Sequence, residues 1–247
     1  MTKPQGGLNV TFHATPPYQC SYLPDKQAVT LFVDPSLPKS QNVYADLSSA
    51  GFRRSGEHLY RPHCPHCSDC IPVRIPVADF QTRRNQRRAW NANQDLSVSV
   101  VKPYFEQEHF YLYRRYLKSR HSEGGMDQPI PQSHLDFLTS TWTETQFYEM
   151  RLRDQLVAVA IVDRMKDALS AVYTFYEPTL LQRSLGRYAI LLEIEETRRL
   201  GLKWLYLGYW IRRCQNMRYK DEYQPLEYYF DGHWTRQWHD PATNITT

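Results

Sequence analysis

Residues 146–176, QFYEMRLRDQLVAVAIVDRMKDALSAVYTFY, decide the fold of this chain. The stretch contains three largely apolar runs, separated by the short polar turns Arg153-Asp154-Gln155 and Lys166-Asp167. Apolar runs of strand length that are joined by such turns are typical of an antiparallel meander. The stretch therefore predicts three consecutive strands, QFYEMRLR, QLVAVAIVDRM and ALSAVYTFY.

A helix and a fourth strand follow this meander. In SLGRYAILLEIEETRRLG, residues 184–201, the apolar side chains Tyr188, Leu191 and Leu192 recur at helical spacing, and Gly201 is suited to end the helix. KWLYLGYWI then reads as a buried strand. The order strand, strand, strand, helix, strand resembles the core of N-acetyltransferases of the GNAT type. We therefore expect an α+β fold with a mixed, mostly antiparallel sheet in a GNAT-like catalytic domain over residues 96–247.

The residues before Leu96 are expected to form a separate N-terminal domain that carries most of the cysteines. Residues 1–95 make up this domain, and residues 1–15 read as a loose tail. Between the two parts, LSVSVVKP reads as a strand that Pro103 closes. The chain therefore predicts two domains with a boundary near residue 95.

Composition excludes several classes of protein. The chain has 247 residues, 41% of them hydrophobic and 14% aromatic, which is enough to bury a core and excludes disorder over most of its length. Mean hydropathy is −0.64 and no apolar run approaches 18 residues, so we expect no membrane-spanning helix and no membrane partner. The start of the chain lacks a secretory signal, and its five cysteines are an odd number, which favours a reducing, cytoplasmic setting.

Three cysteines form the closely spaced cluster Cys64-Pro-His-Cys67-Ser-Asp-Cys70. Such thiolates can hold a zinc ion or one corner of an iron–sulfur cluster if a fourth ligand comes from elsewhere. Cys20 is a candidate for that ligand, and His63 or His66 is an alternative. Three ordinary reduced thiols near a turn remain the competing interpretation. Cys214 stands alone and reads as a small buried residue.

The densest positive run of the chain lies in RRNQRRAW, residues 83–90. Four arginines beside a tryptophan suit contact with a phosphate backbone, and a solvated helix face is the alternative. The candidate nucleic-acid contacts are Arg83, Arg84, Arg87 and Arg88. Arg53 and Arg54 add two more cations in a turn that glycines bound on both sides, and such arginines can grip a carboxylate or a phosphate.

The start of the predicted helix departs from a coenzyme A site. N-acetyltransferases that use coenzyme A carry the pattern Q/R-x-x-G-x-G/A there, which lets backbone amides approach the pyrophosphate. Arg183 and Gly186 fit this pattern, but Tyr188 stands where the last small residue belongs. We expect this bulky residue to obstruct coenzyme A, so the sequence favours a different acyl donor.

Seven segments together resemble the bacterial branch of the arginyl-tRNA–protein transferase family, the leucyltransferases that act on N-terminal Asp and Glu. The resemblance spans nearly the whole chain. The matching segments are CSYLPDKQA, GFRRSGEHLYRPHCPHCSDCIPVRIPV, QRRAWNANQDL, RHSEGGMD, AVYTFYEP, SLGRYAILLEIE and YLGYWIRRCQNMRYKDEYQPLE. It implies a cysteine-bearing N-terminal domain and a GNAT-like catalytic domain. It also implies transfer of leucine from leucyl-tRNA to the N-terminal α-amine of proteins that begin with Asp or Glu, which marks them for degradation through the N-degron pathway.

This reaction requires the enzyme to position the amine and the ester and to stabilise the oxyanion. It needs no covalent enzyme intermediate, because an aminoacyl-tRNA is already an activated ester. We expect no cofactor for the transfer itself. Lys220 and Arg54 are candidate cations for the acidic side chain of the acceptor, and Arg187 is a candidate for the tRNA terminus. Tyr219 offers a further donor beside the substrates. Candidates for stacking on the terminal adenosine or for donating to the oxyanion are Tyr173, Tyr176 and Tyr209.

The resemblance also implies that Cys20, Cys64, Cys67 and Cys70 form one site for zinc or an iron–sulfur cluster. The chain departs from the family pattern here, because Leu23 stands where a C-x-x-C beginning at Cys20 needs its second cysteine. Three alternatives to leucine transfer remain: arginine as the donor with the same acceptors, acetyl-coenzyme A as the donor, and a non-catalytic module that binds tRNA and a metal.

Overall fold

A computed structural model of the chain describes residues 10–120 and 131–238. Within this part, the chain forms five α-helices and fourteen strands. The helices are α1 Gln41–Ser49, α2 Arg84–Asn91, α3 Gln107–Arg120, α4 Pro131–Leu138 and α5 Leu185–Arg199, with 3-10 turns at Leu181–Arg183 and Arg218–Glu222. The strands are β1 Phe12–Ala14, β2 Tyr18–Gln19, β3 Gln27–Ala28, β4 Thr30–Val33, β5 Arg53–Ser55, β6 His58–Pro62, β7 Ile71–Pro76, β8 Leu96–Val101, β9 Glu144–Leu152, β10 Gln155–Arg164, β11 Ala168–Tyr176, β12 Trp204–Trp210, β13 Glu227–Phe230 and β14 His233–Thr235.

An eight-stranded sheet with the order β14-β13-β7-β12-β11-β10-β9-β8 is the centre of the fold. Its strand pairs are antiparallel except β11 and β12, which run parallel. The parallel pair follows from the connection between these two strands, because α5 crosses over the sheet before β12 begins. The predicted α+β class, the mixed and mostly antiparallel sheet and the meander of β9, β10 and β11 are all confirmed.

Both faces of this sheet are covered, which explains why β10 is apolar along almost its whole length. Ala158, Ala160 and Val162 belong to the cluster beneath α5, whereas Val159 and Ile161 belong to the cluster beneath α3. Strand side chains alternate between faces, so a strand that is buried on both sides loses the usual alternation of polar and apolar residues. The sheet and its two helices thereby form a three-layer core.

The N-terminal part of the chain contributes to three sheets, the smallest of which is the two-stranded antiparallel sheet of β2 and β3. Strands β1, β4, β6 and β5 form a small antiparallel sheet beside α1, whereas β7 pairs with β12 and β13 in the large sheet. Residues from before position 95 thus complete the sheet that the later residues begin, and the domain boundary near residue 95 stays a prediction. No helix in the described ranges is long and apolar enough to cross a membrane. Apart from Arg120, the motif RHSEGGMD lies outside the described residues.

Candidate active site

The parallel strands β11 and β12 pair for only three residues and then separate. Ala168–Ser170 face Trp204–Tyr206, after which β11 stays with β10 as far as Tyr176. Strand β12 instead continues along β7, and its register shifts between Tyr206 and Gly208. The separation leaves an opening between residues 171–176 and residues 207–210, which we call the strand gap. It interrupts the sheet at its centre, where side chains from both faces can meet.

Arg53 on β5 reaches this strand gap. Its Nη2 donates a hydrogen bond of 2.8 Å to the carbonyl oxygen of Ala171, where β11 leaves β12. On the other side of the gap, a Cβ atom at Gly208 would stand 3.5 Å from Arg53 Nε. The Arg53 side chain is buried, and its Nη1 has no hydrogen-bond partner within the described part of the chain. Sequence analysis did not single out this arginine as a substrate contact.

Lys220 lies beside the same strands, in the 3-10 turn that follows β12. Its Nζ donates to the carbonyl oxygen of Tyr209 at 2.5 Å and contacts Met217 Sδ at 3.4 Å. The residue is 6% exposed, and burial together with the nearby charge of Arg53 lowers the pKa of Lys220 to about 7. Neither Lys220 nor Arg53 forms an ion pair with a carboxylate among the described residues. Two buried cations without an anion are costly, and an anionic substrate would relieve that cost.

Arg54 is held elsewhere, although it is the residue next to Arg53. Its Nε and Nη2 donate to Asp163 Oδ2 and Oδ1 at 2.6 and 2.8 Å, and both side chains are completely buried. Thr145 donates to the same carboxylate at 2.7 Å, and Tyr44 does so at 3.0 Å. This carboxylate satisfies the guanidinium of Arg54. The structure therefore gives Arg54 a structural role instead of the predicted contact with the acceptor.

The three candidate tyrosines lie in different surroundings. The hydroxyl of Tyr209 is buried within 3.1 Å of the carbonyl oxygen of Gly51 and within 3.2 Å of that of Tyr60, so this phenol braces β12 against the small sheet. Tyr173 packs edge to face against an aromatic cluster that includes Tyr116. The rings in contact with Tyr173 are Tyr113, Tyr116 and Phe137.

Tyr176 ends β11 and is half-buried, as Tyr173 is, whereas Tyr209 is buried. Its hydroxyl accepts a hydrogen bond of 2.7 Å from Arg120 Nη2, and its ring packs on Tyr116 at 4.9 Å. The ring also covers the start of α5, where a Cβ atom at Gly186 would stand 3.0 Å from it. Tyr188 turns into the core against Trp90 at 5.5 Å. The start of α5 is therefore covered by Tyr176, and not by Tyr188 as the sequence led us to expect.

Tyr219 and Arg187 lie near the mouth of the strand gap. Tyr219 is 41% exposed, and the centroid of its ring lies 5.9 Å from Lys220 Nζ. Arg187 Nη2 forms an ion pair of 2.8 Å with Glu222, and both side chains remain partly exposed. The structure thus brings Tyr176, Tyr219 and Lys220 to one region and places Arg187 at its edge.

Helix α2 leads from this mouth across the surface. Gln86 Nε2 donates to the carbonyl oxygen of Glu222 at 3.1 Å, which anchors the helix beside the 3-10 turn that carries Lys220. All four arginines of the predicted nucleic-acid contact are exposed. Arg83 is the N-cap of α2, and the other three lie within the helix. Exposed guanidinium groups next to the site can reach a phosphate backbone without moving the core.

Cys64, Cys67 and Cys70 lie in the segment between β6 and β7. Burial and the neighbouring sulfurs of Cys20, Cys64 and Cys67 raise the pKa of the Cys70 thiol to about 12. Cys64 Sγ contacts the backbone of Val29, accepting from its N–H at 3.4 Å. In residues 10–120 and 131–238, no group of three or more His, Cys, Asp or Glu side chains is arranged to hold a metal ion. As placed, the sulfurs do not fit the group, so we derive no step through it, and zinc or iron–sulfur binding stays a prediction.

Sequence reasoning named Arg53 together with Arg54 as a possible anion-binding cation but chose only Arg54 for the acceptor, and it missed the buried Glu193. Glu193 on α5 is fully buried, and neither carboxylate oxygen has a hydrogen-bond partner in the part of the chain described here. Burial raises its pKa to about 8. Strand alternation within β5 is the signal that separates Arg53 from Arg54, because neighbouring strand residues point in opposite directions. Glu193 gives no such signal, since acids in ILLEIEE read as an exposed helix face.

Comparison with known proteins places this arrangement among aminoacyl transferases. The profile described as "Arginine-tRNA-protein transferase, N terminus" matches residues 18–88, and the profile described as "Arginine-tRNA-protein transferase, C terminus" matches residues 108–230. An aspartate/glutamate leucyltransferase of Pseudomonas fluorescens is 53% identical over 223 residues, which cover 90% of this chain and 95% of that protein. A protein of the same name from Pseudomonas aeruginosa is 52% identical over the same shares of both chains.

Solved structures show a weaker likeness. The structure of L-PGS from Bacillus licheniformis has a TM-score of 0.46 and 12% identity, and the match covers 69% of this chain and 51% of that one. The crystal structure of FemX has a TM-score of 0.43 and 9% identity, with 73% of this chain and 63% of that one covered. The sequence relatives therefore carry the comparison.

Proposed function

The chain belongs to the arginine-tRNA-protein transferase family, among its aspartate/glutamate leucyltransferases, and we propose that it moves leucine from leucyl-tRNA to the N-terminal α-amine of proteins that begin with Asp or Glu. The proposal includes a GNAT-like catalytic domain and a cysteine-bearing N-terminal domain. It also places the protein in the cytoplasm, where the added leucine marks the acceptor for degradation through the N-degron pathway.

The observation that carries the choice of acceptor is the burial of Lys220 beside the strand gap without a carboxylate partner. Its Nζ has three hydrogens, and two of them are directed to the carbonyl oxygen of Tyr209 and to Met217 Sδ. One N–H remains for a ligand, and a carboxylate is the ligand that best offsets a buried ammonium. An N-terminal Asp or Glu supplies that carboxylate on the residue whose α-amine must react.

The transfer itself exchanges an ester for an amide. The neutral α-amine of the acceptor attacks the leucyl carbonyl carbon, a C–N bond forms, and the C–O bond to the terminal ribose of the tRNA breaks. The amine loses a proton and the departing ribose oxygen gains one. An α-amine with a pKa of about 7.7–8.0 is partly neutral near pH 7, so the protein must mainly align the two substrates and stabilise the oxyanion.

Tyr176 is our candidate for the oxyanion donor. Its hydroxyl accepts a hydrogen bond from Arg120, which leaves the phenolic proton free to donate, and the cation of Arg120 makes that proton a better donor. Tyr219 and Tyr173 provide aromatic rings near the same opening, on which the terminal adenosine can stack. Tyr209 holds Lys220 through its backbone carbonyl and acts as a positioning residue.

The tRNA approaches, in this proposal, along the exposed arginines of α2 and reaches the strand gap past Arg187. The arginines of α2 have long flexible side chains on the surface, which suits recognition of phosphates more than of bases. Arg187 already pairs with Glu222, so a phosphate has to compete with that carboxylate.

A transfer assay tests the function directly. Purified protein is mixed with radiolabelled leucyl-tRNA or arginyl-tRNA and with reporters that begin with Asp, Glu, Lys or Ala. Label from leucyl-tRNA on the Asp and Glu reporters alone supports the proposal. Label from arginyl-tRNA on these reporters keeps the mechanism and replaces the donor, and the absence of label from either tRNA overturns the function.

A further inference from the structure

Arg53 is fixed in the strand gap by a single hydrogen bond. Residues of β5 alternate in direction, and this alternation sends Arg53 to Ala171 on β11 while Arg54 goes to Asp163 on β10. The bond from Nη2 to the carbonyl oxygen of Ala171 holds one end of the guanidinium at 2.8 Å. Arg53 is 7% exposed, and its Nη1 is the end without a partner. The side chain is therefore held in place and still has an unused donor.

The opposite wall of the gap leaves that guanidinium uncovered. Gly208 has φ of +82°, a conformation that glycine adopts readily and other residues rarely do. A Cβ atom added at this position would lie 3.5–3.7 Å from Nε, Nη2 and Cζ of Arg53. Any longer side chain at position 208 would cover the planar group. Glycine thus keeps a space beside a buried cation in the middle of the sheet.

Arg53 and Lys220 act on the same space. Lys220 Nζ donates to the carbonyl oxygen of Tyr209, the residue that follows Gly208 on β12, and Gly208 borders the guanidinium of Arg53. Both cations therefore lie along the same two residues of β12, and the charge of Arg53 contributes to the lowered pKa of Lys220. Each retains an N–H for which the described residues provide no acceptor: Nη1 of Arg53, and the third hydrogen of Lys220 Nζ. Two cationic donors without acceptors match, in number and charge, the two oxygens of one carboxylate.

We propose that Arg53 is a specificity-determining residue that binds the side-chain carboxylate of the N-terminal Asp or Glu, together with Lys220. This inference rests on the proposed function, and it adds the residue that distinguishes the acids from their amides. Asn and Gln have the same shapes as Asp and Glu, but their amide carries no charge and turns an NH₂ group toward at least one of the two donors. Loss of a hydrogen bond to a charged partner corresponds to about 10- to 100-fold in affinity.

The experiment measures kcat and KM separately for each substrate in wild-type protein and in Arg53→Gln and Arg53→Lys. Reporters begin with Asp, Asn, Glu or Gln, and leucyl-tRNA is varied in a second series. For Arg53→Gln we expect KM for the Asp and Glu reporters to rise about 10- to 100-fold, with KM for leucyl-tRNA unchanged. Discrimination between Asp and Asn should shrink by a similar factor. Arg53→Lys should recover part of the lost discrimination, because it restores the charge without the planar group.

Arg199→Gln is the matched control, because it removes an exposed guanidinium on α5 that pairs with Glu196, away from the gap. It should leave every KM unchanged. The melting temperature of each variant is measured alongside, and Arg53→Lys serves as the informative variant if Arg53→Gln does not fold.

Three outcomes overturn the inference. Unchanged discrimination between Asp and Asn in both variants shows that Arg53 does not recognise the carboxylate. A rise in KM for leucyl-tRNA alone shows that it binds a phosphate of the donor instead. A loss of kcat with unchanged KM gives it a role in the chemical step. The failure of the proposed function itself is distinct, since wild-type protein then transfers no leucine to any reporter.

Discussion

Arg53 and Arg54 are adjacent in the sequence and equally buried, yet their surroundings differ completely. Arg54 meets Asp163 through two short hydrogen bonds, and Thr145 and Tyr44 complete the coordination of that carboxylate. Arg53 meets one carbonyl oxygen and a glycine. A buried charge with its partner inside the protein stabilises a defined arrangement, whereas a buried charge without one is held ready for a partner that arrives from outside. The variants below test this difference.

The largest effect on stability is expected when the buried ion pair of Arg54 and Asp163 is broken. Asp163→Ala leaves Arg54 as a buried cation without an anion and also removes the acceptor for Thr145 and Tyr44. Breaking a buried ion pair from one side costs about 3–5 kcal/mol in the free energy of unfolding. Urea denaturation of Asp163→Ala and wild type measures this loss. Thr145→Val, which removes one hydrogen bond and keeps the pair, serves as the control and should cost about 1 kcal/mol. A loss below 1 kcal/mol for Asp163→Ala would contradict the structural role.

The pH dependence of stability tests the second case, a buried ionisable residue without a partner inside the described protein, at Glu193. Burial raises the pKa of its carboxyl to about 8, whereas an unfolded chain has a glutamate pKa of about 4.3. At a pH below about 4.3, Glu193 is protonated in both the folded and the unfolded protein. Between the two values only the unfolded state ionises, so wild-type stability falls as pH rises, by roughly 1.4 kcal/mol per unit.

Glu193→Gln cannot ionise and should escape this decline. Its free energy of unfolding relative to wild type should grow by roughly 3 kcal/mol between pH 5 and pH 7. Denaturation curves at pH 5, 6, 7 and 8 measure the difference, with Glu195→Gln as the exposed neighbour that should show little change with pH. A constant difference between Glu193→Gln and wild type would show that Glu193 is ionised in the folded protein.

Two glycines with positive φ allow a further comparison between the surroundings of Arg53 and those of Arg54, with smaller expected effects. Gly208 borders Arg53, with φ of +82°, and Gly56 lies two residues from Arg54, with φ of +54°. Alanine at either position is strained by about 1–2 kcal/mol. At Gly56 the new Cβ would also stand 2.7 Å from a backbone oxygen of Asp136, so this variant should lose the greater stability.

The two alanine variants should separate in their kinetics. Gly208→Ala should raise KM for the Asp reporter, because its methyl group enters the space beside Arg53. Gly56→Ala should leave that KM unchanged in the protein that remains folded. Equal KM values for both variants would show that the space beside Arg53 is not used by the acceptor.

The meander, α5 and β12 could be predicted from the sequence, but the place of β7 in the large sheet and the paired and unpaired arginines could not. The meander and α5 rest on apolar periodicity and turn residues, which act within a few positions of the chain. The partner of Arg54 is Asp163, more than a hundred residues away. Strand alternation therefore predicts that Arg53 and Arg54 point in opposite directions, but not which of them meets a carboxylate. Lys220 was a candidate from the sequence as a cation for the acidic side chain of the acceptor, and the structure places it beside Tyr209 of β12. No prediction was made for Glu193, because an acid within ILLEIEE has the composition of an exposed helix face.

The smallest expected effect concerns cations that are neither buried nor paired with a carboxylate. Arg84 and Arg88 on α2 are exposed, and we propose that they contact tRNA phosphates. Each contact that is lost should reduce the steepness of the salt dependence of tRNA binding by about 0.7–0.9. Arg84→Gln and Arg88→Gln should therefore weaken binding at low salt and change little at high salt, while the preference among Asp, Asn, Glu and Gln reporters stays as in wild type. Filter binding of leucyl-tRNA across a salt series measures the slope, with Arg199→Gln as the charge-matched control on another helix. If the control lowers the slope as much as the α2 variants do, tRNA responds to the overall charge of the protein. In that case α2 is not a specific contact for tRNA. The surroundings of a cation then determine its role only for buried cations such as Arg53 and Arg54, and not for exposed ones.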